Sequence, residues 1–147
     1  VVNEFNARMG DPEAQVVLPL SRFDLVEAME AAIDGRLAEL ELAPPKGAAT
    51  CVVLASSGYP GSYRTGMPIE GIEDTGPQTL VFQAGTREQE GRLVTAGGRV
   101  LAVTGLGTSV PQATARAYAG VERVEFEGAV RRNDIAAGAR EGERDRE

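Results

Sequence analysis

The sequence predicts an α+β chain in two parts: a helical first part and a small β-rich second part carrying one packed helix. Three observations predict it. From about Ser21 to Leu40, the residues Leu25, Met29, Ala32, Ile33 and Leu37 recur near the spacing of a single helix face. Ala43-Pro44-Pro45-Lys46-Gly47 then breaks the pattern, because paired prolines end a helix and bias their neighbours to extended backbone. Beyond the prolines, short apolar runs separated by glycines replace the helical period.

The elements follow in order. Val1 to Arg8 reads as a strand whose pleat puts Glu4, Asn6 and Arg8 on one face. Gly10-Asp11-Pro12-Glu13 reads as a turn into a short helix ending near Pro19, with Asp11 as its cap and Pro12 at the first helical position. Asp34-Gly35 is a point where the longer helix is open to interruption. Thr50–Ser56, Thr79–Ala84, Arg92–Thr95 and Arg99–Thr104 are the expected strands, and Gly58-Tyr59-Pro60-Gly61 and Ala96-Gly97-Gly98 the turns between some of them. The second of these has the composition of a hairpin. Ser109-Val110-Pro111-Gln112 has the form of a capping box opening a helix to about Val124, with Ala113, Ala117, Val121 and Val124 inward. From Ala136 onward charge alternates with glycine and alanine, and residues 137–147 are expected to form a solvated tail.

Composition limits the function. A formal charge of -7 opposes the basic surface that nucleic acid requires. No apolar run approaches a membrane span, and no segment has the pattern of a signal peptide. The lone Cys51 sits in an apolar run, as a small buried residue does, and forms no internal disulfide; a reducing compartment, the cytoplasm, is therefore expected. With no histidine and one cysteine, a zinc site of the usual ligands is excluded. Opening on Val1-Val2-Asn3-Glu4 without Met, the sequence reads as a chain cut from something longer.

The polar face at the start carries the chemistry. Magnesium on a nucleotide phosphate takes one or two hard protein oxygens, with phosphate and water completing the octahedron. Glu4 and Asn6 offer such oxygens two residues apart on one strand face, and Arg8 follows with a permanent planar cation suited to phosphate oxygens. Taken alone, this pattern more often describes a solvated sheet edge. The turn after it presents backbone donors to a carboxylate or phosphate, with Asp11 and Glu13 able to hold an amine; an ordinary capped helix start has the same residues. Gly97-Gly98-Arg99 makes Arg99 a further binding candidate.

The continuation separates these readings. Glu4-Phe5-Asn6-Ala7-Arg8-Met9-Gly10-Asp11-Pro12-Glu13-Ala14-Gln15 resembles the last ATP-grasp motif of the glycinamide ribonucleotide synthetases. Cys51 to Tyr63, Val81 to Thr86, Gly97 to Thr104 and Phe126 to Ala129 resemble that family's carboxy-terminal blocks, in the same order. The resemblance covers roughly Val1 to Ile135. It implies that residues 1–42 are the end of an ATP-grasp domain and residues 43–136 a small β-rich carboxy-terminal domain. It implies Glu4 and Asn6 as ligands of Mg2+ or Mn2+ and Arg8 as the catalytic phosphate contact on ATP; Asp11, Glu13 and Arg99, read from the turn and the glycine pair, are the expected substrate contacts.

The family joins glycine to 5-phosphoribosylamine as ATP becomes ADP and phosphate, through a glycyl phosphate, in purine biosynthesis. A chain without the preceding nucleotide-binding portion is expected to be inactive alone. Two other readings remain: another ATP-grasp ligase or carboxylase, against which the Gly-Asp-Pro-Glu continuation argues, and a noncatalytic module retaining the fold. The sequence departs from the family at Gln83, where histidine is frequent, and at Ala96, where Asn or His is common. It departs again in Val130 to Ala136, where arginine replaces an aromatic and alanine the last glycine.

Overall fold

Ala48–Ser56 (β1) and Arg99–Gly107 (β5) are the longest strands of the chain, and their antiparallel pairing builds the core. The computed structural model describes residues 5–138. Thr79–Gln83 (β2) pairs with the other edge of β5, and Ala129–Val130 (β6) with the end of β1, giving the order β2-β5-β1-β6. Thr86–Gln89 (β3) and Arg92–Thr95 (β4) form a separate two-stranded sheet. Its turn residues Glu90 and Gly91 both have positive φ, as a two-residue hairpin loop of this twist requires.

Strand alternation assigns the faces. Thr50, Val52 and Leu54 lie opposite Gly105, Val103 and Leu101 and share the face covered by the helix Val110–Val121 (α3). Ala113, Ala117, Val121 and Val124 are buried, as their spacing predicts. A buried hydroxyl pair ties helix to sheet: Thr114 Oγ1 donates to the Val110 carbonyl at 2.7 Å, so Thr50 Oγ1 donates to Thr114 Oγ1 at 3.0 Å. Gly105 sets how closely α3 approaches, because a Cβ there would collide with the Ala113 carbonyl and the Ala117 amide.

The opposite face, with Cys51, Val53 and Ala102, is covered by the short helix Ala14–Leu20 (α1). This helix starts later than the sequence predicts. Glu13 occupies its cap position without a side-chain cap, and Pro12 precedes it after a cis Asp11-Pro12 bond. Asp11 is not the cap because its carboxylate is engaged elsewhere, by Gln15 and Arg99.

The long helix expected over 21–40 is also divided. Asp24 caps Leu25–Ile33 (α2) by accepting from the amides of Val26 and Glu27, and Gly35, at φ 71°, ends it before a 3₁₀ turn at Leu37–Glu39. Ala31 is its buried residue, while Met29, Ile33 and Leu37 of the anticipated inward stripe are exposed. Periodicity identifies which face is apolar; it does not supply the surface that covers it. Residues 5–8 are not in a strand, since no described strand pairs with them; residues 1–4, and 139–147 of the expected tail, lie outside the described residues.

The glycine pair at 97–98 is not a hairpin. Strands β4 and β5 belong to different sheets, and Gly97 instead packs on Gly85, where a Cβ on either would come within 2.9 Å of the other's backbone.

These packing differences predict an inversion of residue size and effect. Gly105→Ala is expected to destabilise the chain by about 1–3 kcal/mol, whereas Ile33→Ala, at a residue 85% exposed, changes it by no more than about 0.5 kcal/mol. Urea denaturation of the two variants measures both.

Candidate functional site

Asp11 and Arg99, separated by 88 positions, meet on the α1 face of the sheet. The cause is local. Pairing of β1 with β5 shifts register between Leu54 and Ala55, leaving Val100 as the extra residue and placing Arg99 opposite Ala55. Without that bulge Arg99, two residues from Leu101, would share Leu101's face and point toward α3. With it, Arg99 Nη2 reaches Asp11 Oδ2 at 3.1 Å and Nη1 donates to the Asp11 carbonyl at 3.2 Å. Gln15 Nε2 donates to the other carboxylate oxygen at 2.8 Å. Both charged side chains remain nearly half exposed, so the pair contributes at most about 1 kcal/mol while fixing where the turn sits.

The other described candidates lie on or near this turn. Glu13 folds its carboxylate over Gly10, in space that a side chain at position 10 would occupy. Arg8 is exposed and spends one donor on the Met9 carbonyl at 3.0 Å; its other guanidinium N–H groups have no partner among the described residues. Asn6 is exposed too, and Glu4 lies outside the described residues. Among the described residues no group of three His, Cys, Asp or Glu could hold a metal. Asn6 with Glu4 is a hard-oxygen donor pair of the size Mg2+ takes when phosphate and water supply the rest. Such a pair fits Mg2+ brought in with a nucleotide.

On the opposite side of Gly98 the turn after β1 folds back. A Cβ on Gly98 would meet the rings of Tyr59 and Tyr63, whose centroids are 6.4 Å apart, and Ser56 Oγ donates to the Gly97 carbonyl at 2.9 Å. This turn lines a cavity of about 580 Å³ together with Arg64 and Glu127, which pair at 3.0 Å. Sequence reading singled out neither residue, since 63 positions separate them. The closing segment is held to the fold: Tyr118 Oη donates to the Arg132 carbonyl at 3.1 Å and accepts from the Ile135 amide at 3.1 Å. Hydrogen bonds from Arg132 hold the Asp134 carboxyl below its usual range.

An antiparallel sheet with a helix on each face thus carries an exposed polar segment, Asn6 and Arg8, beside a turn anchored by Arg99. The family profile "Phosphoribosylglycinamide synthetase, C domain" matches residues 49–138. The chain belongs to this family. It is 46% identical over 137 residues to a phosphoribosylamine–glycine ligase of Caldanaerobacter subterraneus, covering 93% of this chain and 33% of that protein. A ligase of the same name from Chlorobaculum tepidum is 47% identical over 140 residues, covering 94% and 33% respectively. The crystal structure of phosphoribosylamine–glycine ligase from Thermotoga maritima superposes with a TM-score of 0.72 at 38% identity, over 90% of this chain and 32% of that one. The chain thus spans about a third of the length of the curated relatives it matches.

Cys51 is free and 8% exposed on the α1 face. Burial pushes its thiol pKa up, Thr104 opposite pulls it down, and the Asp11 charge adds to the rise. Iodoacetamide at pH 8 is therefore expected to alkylate the folded chain at least about a hundredfold more slowly than the denatured chain, read by intact-mass spectrometry, with the rate rising at higher pH.

Proposed function

We propose that this chain is the carboxy-terminal portion of an enzyme that ligates glycine to 5-phosphoribosylamine. The products are glycinamide ribonucleotide, ADP and phosphate, and the reaction belongs to de novo purine biosynthesis in the cytoplasm. The observation that carries the reading is 46% identity, across 93% of the chain, to a protein named for that ligation. Among the described residues no helix is long and apolar enough to cross a membrane.

A carboxylate is a poor electrophile, and phosphorylation by ATP turns one of its oxygens into a leaving group, giving glycyl phosphate for attack by the amine. In this reading Glu4 and Asn6 hold Mg2+ or Mn2+, which when bound neutralises phosphate charge. Arg8 contacts the transferring phosphate with its unused N–H groups, supplying fixed positive charge where negative charge moves. The Asp11–Arg99 bridge holds the turn bearing these residues against the sheet, and Glu13 and the turn contact glycine or the phosphoribosylamine. No nucleophilic side chain is required.

Residues 1–42 complete an ATP-grasp lobe, and residues 43–136 form the following domain. The exposed apolar face of α2, where Ile33 is 85% and Val26 64% exposed, supports a partner surface in the amino-terminal portion that the relatives possess. Without that portion nothing holds the nucleotide in reacting geometry, and the chain alone is inactive.

The test joins this chain to the preceding two-thirds of the Thermotoga maritima ligase and measures ADP release that depends on both glycine and 5-phosphoribosylamine. Dependent turnover is expected, with Glu4→Ala plus Asn6→Ala lowering kcat by about a hundredfold or more. Turnover equal in the double variant would remove the metal assignment, and no dependent turnover with a correctly folded fusion would remove the ligase reading.

A further inference from the structure

A cavity lies between the turn after β1 and the segment before β6, away from Arg8 and the turn from Gly10 to Glu13. Its volume, about 580 Å³, far exceeds a two-carbon amino acid and falls within the range of small-molecule sites. Its walls are mixed: Ser57, Ser62, Arg64 and Glu127 supply polar groups, and Tyr63 and Met67 apolar surface between them. Gly58 and Gly128 both have positive φ, 94° and 76°, and a Cβ on Gly58 would collide with the Ser62 carbonyl, so the narrow loop forming one wall requires glycine there. The Ser57 amide donates to the Gly128 carbonyl at 2.7 Å and clamps the walls together.

The unused groups define the ligand. The hydroxyls of Ser57 and Ser62 have no hydrogen-bond partner among the described residues, nor do the amides of Gly58 and Ser62. Arg64 and Glu127 satisfy only each other, at 3.0 Å, with side chains 76% and 69% exposed. A pair so exposed contributes about 0–1 kcal/mol, so a stronger anion displaces the carboxylate from Arg64 at little cost. Arginine, hydroxyls and loop amides donate hydrogen bonds to phosphate oxygens; the released carboxylate accepts from vicinal hydroxyls.

We propose that this cavity is the sugar-phosphate subsite, with Arg64, Ser57, Ser62 and the Gly58 amide on the 5-phosphate and Glu127 on the ribose hydroxyls. The assignment rests on the ligase reading for the identity of the sugar, a phosphoribosyl amine. It does not depend on Glu4 or Asn6.

The experiment is isothermal titration of the full 147-residue chain with ribose 5-phosphate, inorganic phosphate and ribose as separate probes. Ribose 5-phosphate is expected to bind saturably and more tightly than phosphate, and ribose not to bind. Arg64→Ala, at an exposed residue that the fold does not need, weakens both anions by about tenfold or more. Glu127→Ala weakens ribose 5-phosphate by about threefold or more but leaves inorganic phosphate no weaker.

No binding of ribose 5-phosphate at millimolar concentration, or binding unchanged in both variants, would overturn the subsite. Binding of phosphate alone, indifferent to Glu127, would overturn the sugar assignment. The ligase reading fails separately: a fusion that turns over while the chain ignores ribose 5-phosphate sinks only the subsite. A chain that binds the sugar phosphate, in a fusion without turnover, sinks only the ligase.

Discussion

The arrangement of this chain depends on one irregularity, the register shift that leaves Val100 without a partner between β1 and β5. A strand alternates its side chains, so a single extra residue reverses every face beyond it. Val100 itself is fully buried, and Arg99 emerges on the side of α1 instead of the side of α3. The guanidinium there holds Asp11 by its carboxylate and its carbonyl, and through Asp11 the whole turn from Gly10 to Glu13. A small change in β pairing thus docks the segment that carries Arg8 and Asn6 onto a domain with which it shares no strand.

The two sides of the sheet are stabilised differently. Toward α3 the contact is dry and close: Gly105 admits the helix backbone, Thr50 and Thr114 satisfy each other, and Leu54, Leu101 and Val103 are buried at 1% exposure or less. Burial of this kind makes the α3 face the source of folding stability. Toward α1 the contact is partial, with Val17 55% exposed and the Asp11–Arg99 pair in water, and α2 beyond it offers apolar residues to solvent. Few buried apolar contacts on that side mean that α1 and α2 open more readily than the core strands. Stability is therefore divided by face: α3 holds the domain together, and α1 lies beside the exposed polar segment.

The sequence made legible what depends on local pattern. The strands at Thr50–Ser56 and Arg92–Thr95 and the capped helix after Ser109 follow from β-branched runs, glycine punctuation and a serine cap. Thr86–Gln89 was not legible, because a strand of Thr-Arg-Glu-Gln in an edge hairpin has no apolar face to mark it. The stripe at Met29, Ile33 and Leu37 was legible as apolar but not as exposed, since burial depends on what lies opposite. At the site, Asp11, Glu13 and Arg99 could be named one by one, whereas the bulge that joins Asp11 to Arg99 is a property of strand pairing. Arg64 and Glu127 escaped for the same reason: no periodicity connects two polar residues on separate loops.

The central claim, that the bulge and its arginine dock the turn and α1 onto the sheet, is tested most directly by native-state hydrogen exchange of the chain and its Arg99→Ala variant. Loss of a half-exposed ion pair is predicted to speed exchange at the amides of Val16 and Val17 by about two- to fivefold, with Val52 and Val103 unchanged. Equal exchange at Val16 and Val17 in the two proteins would contradict the account, as would a uniform rise across α1 and the core strands alike.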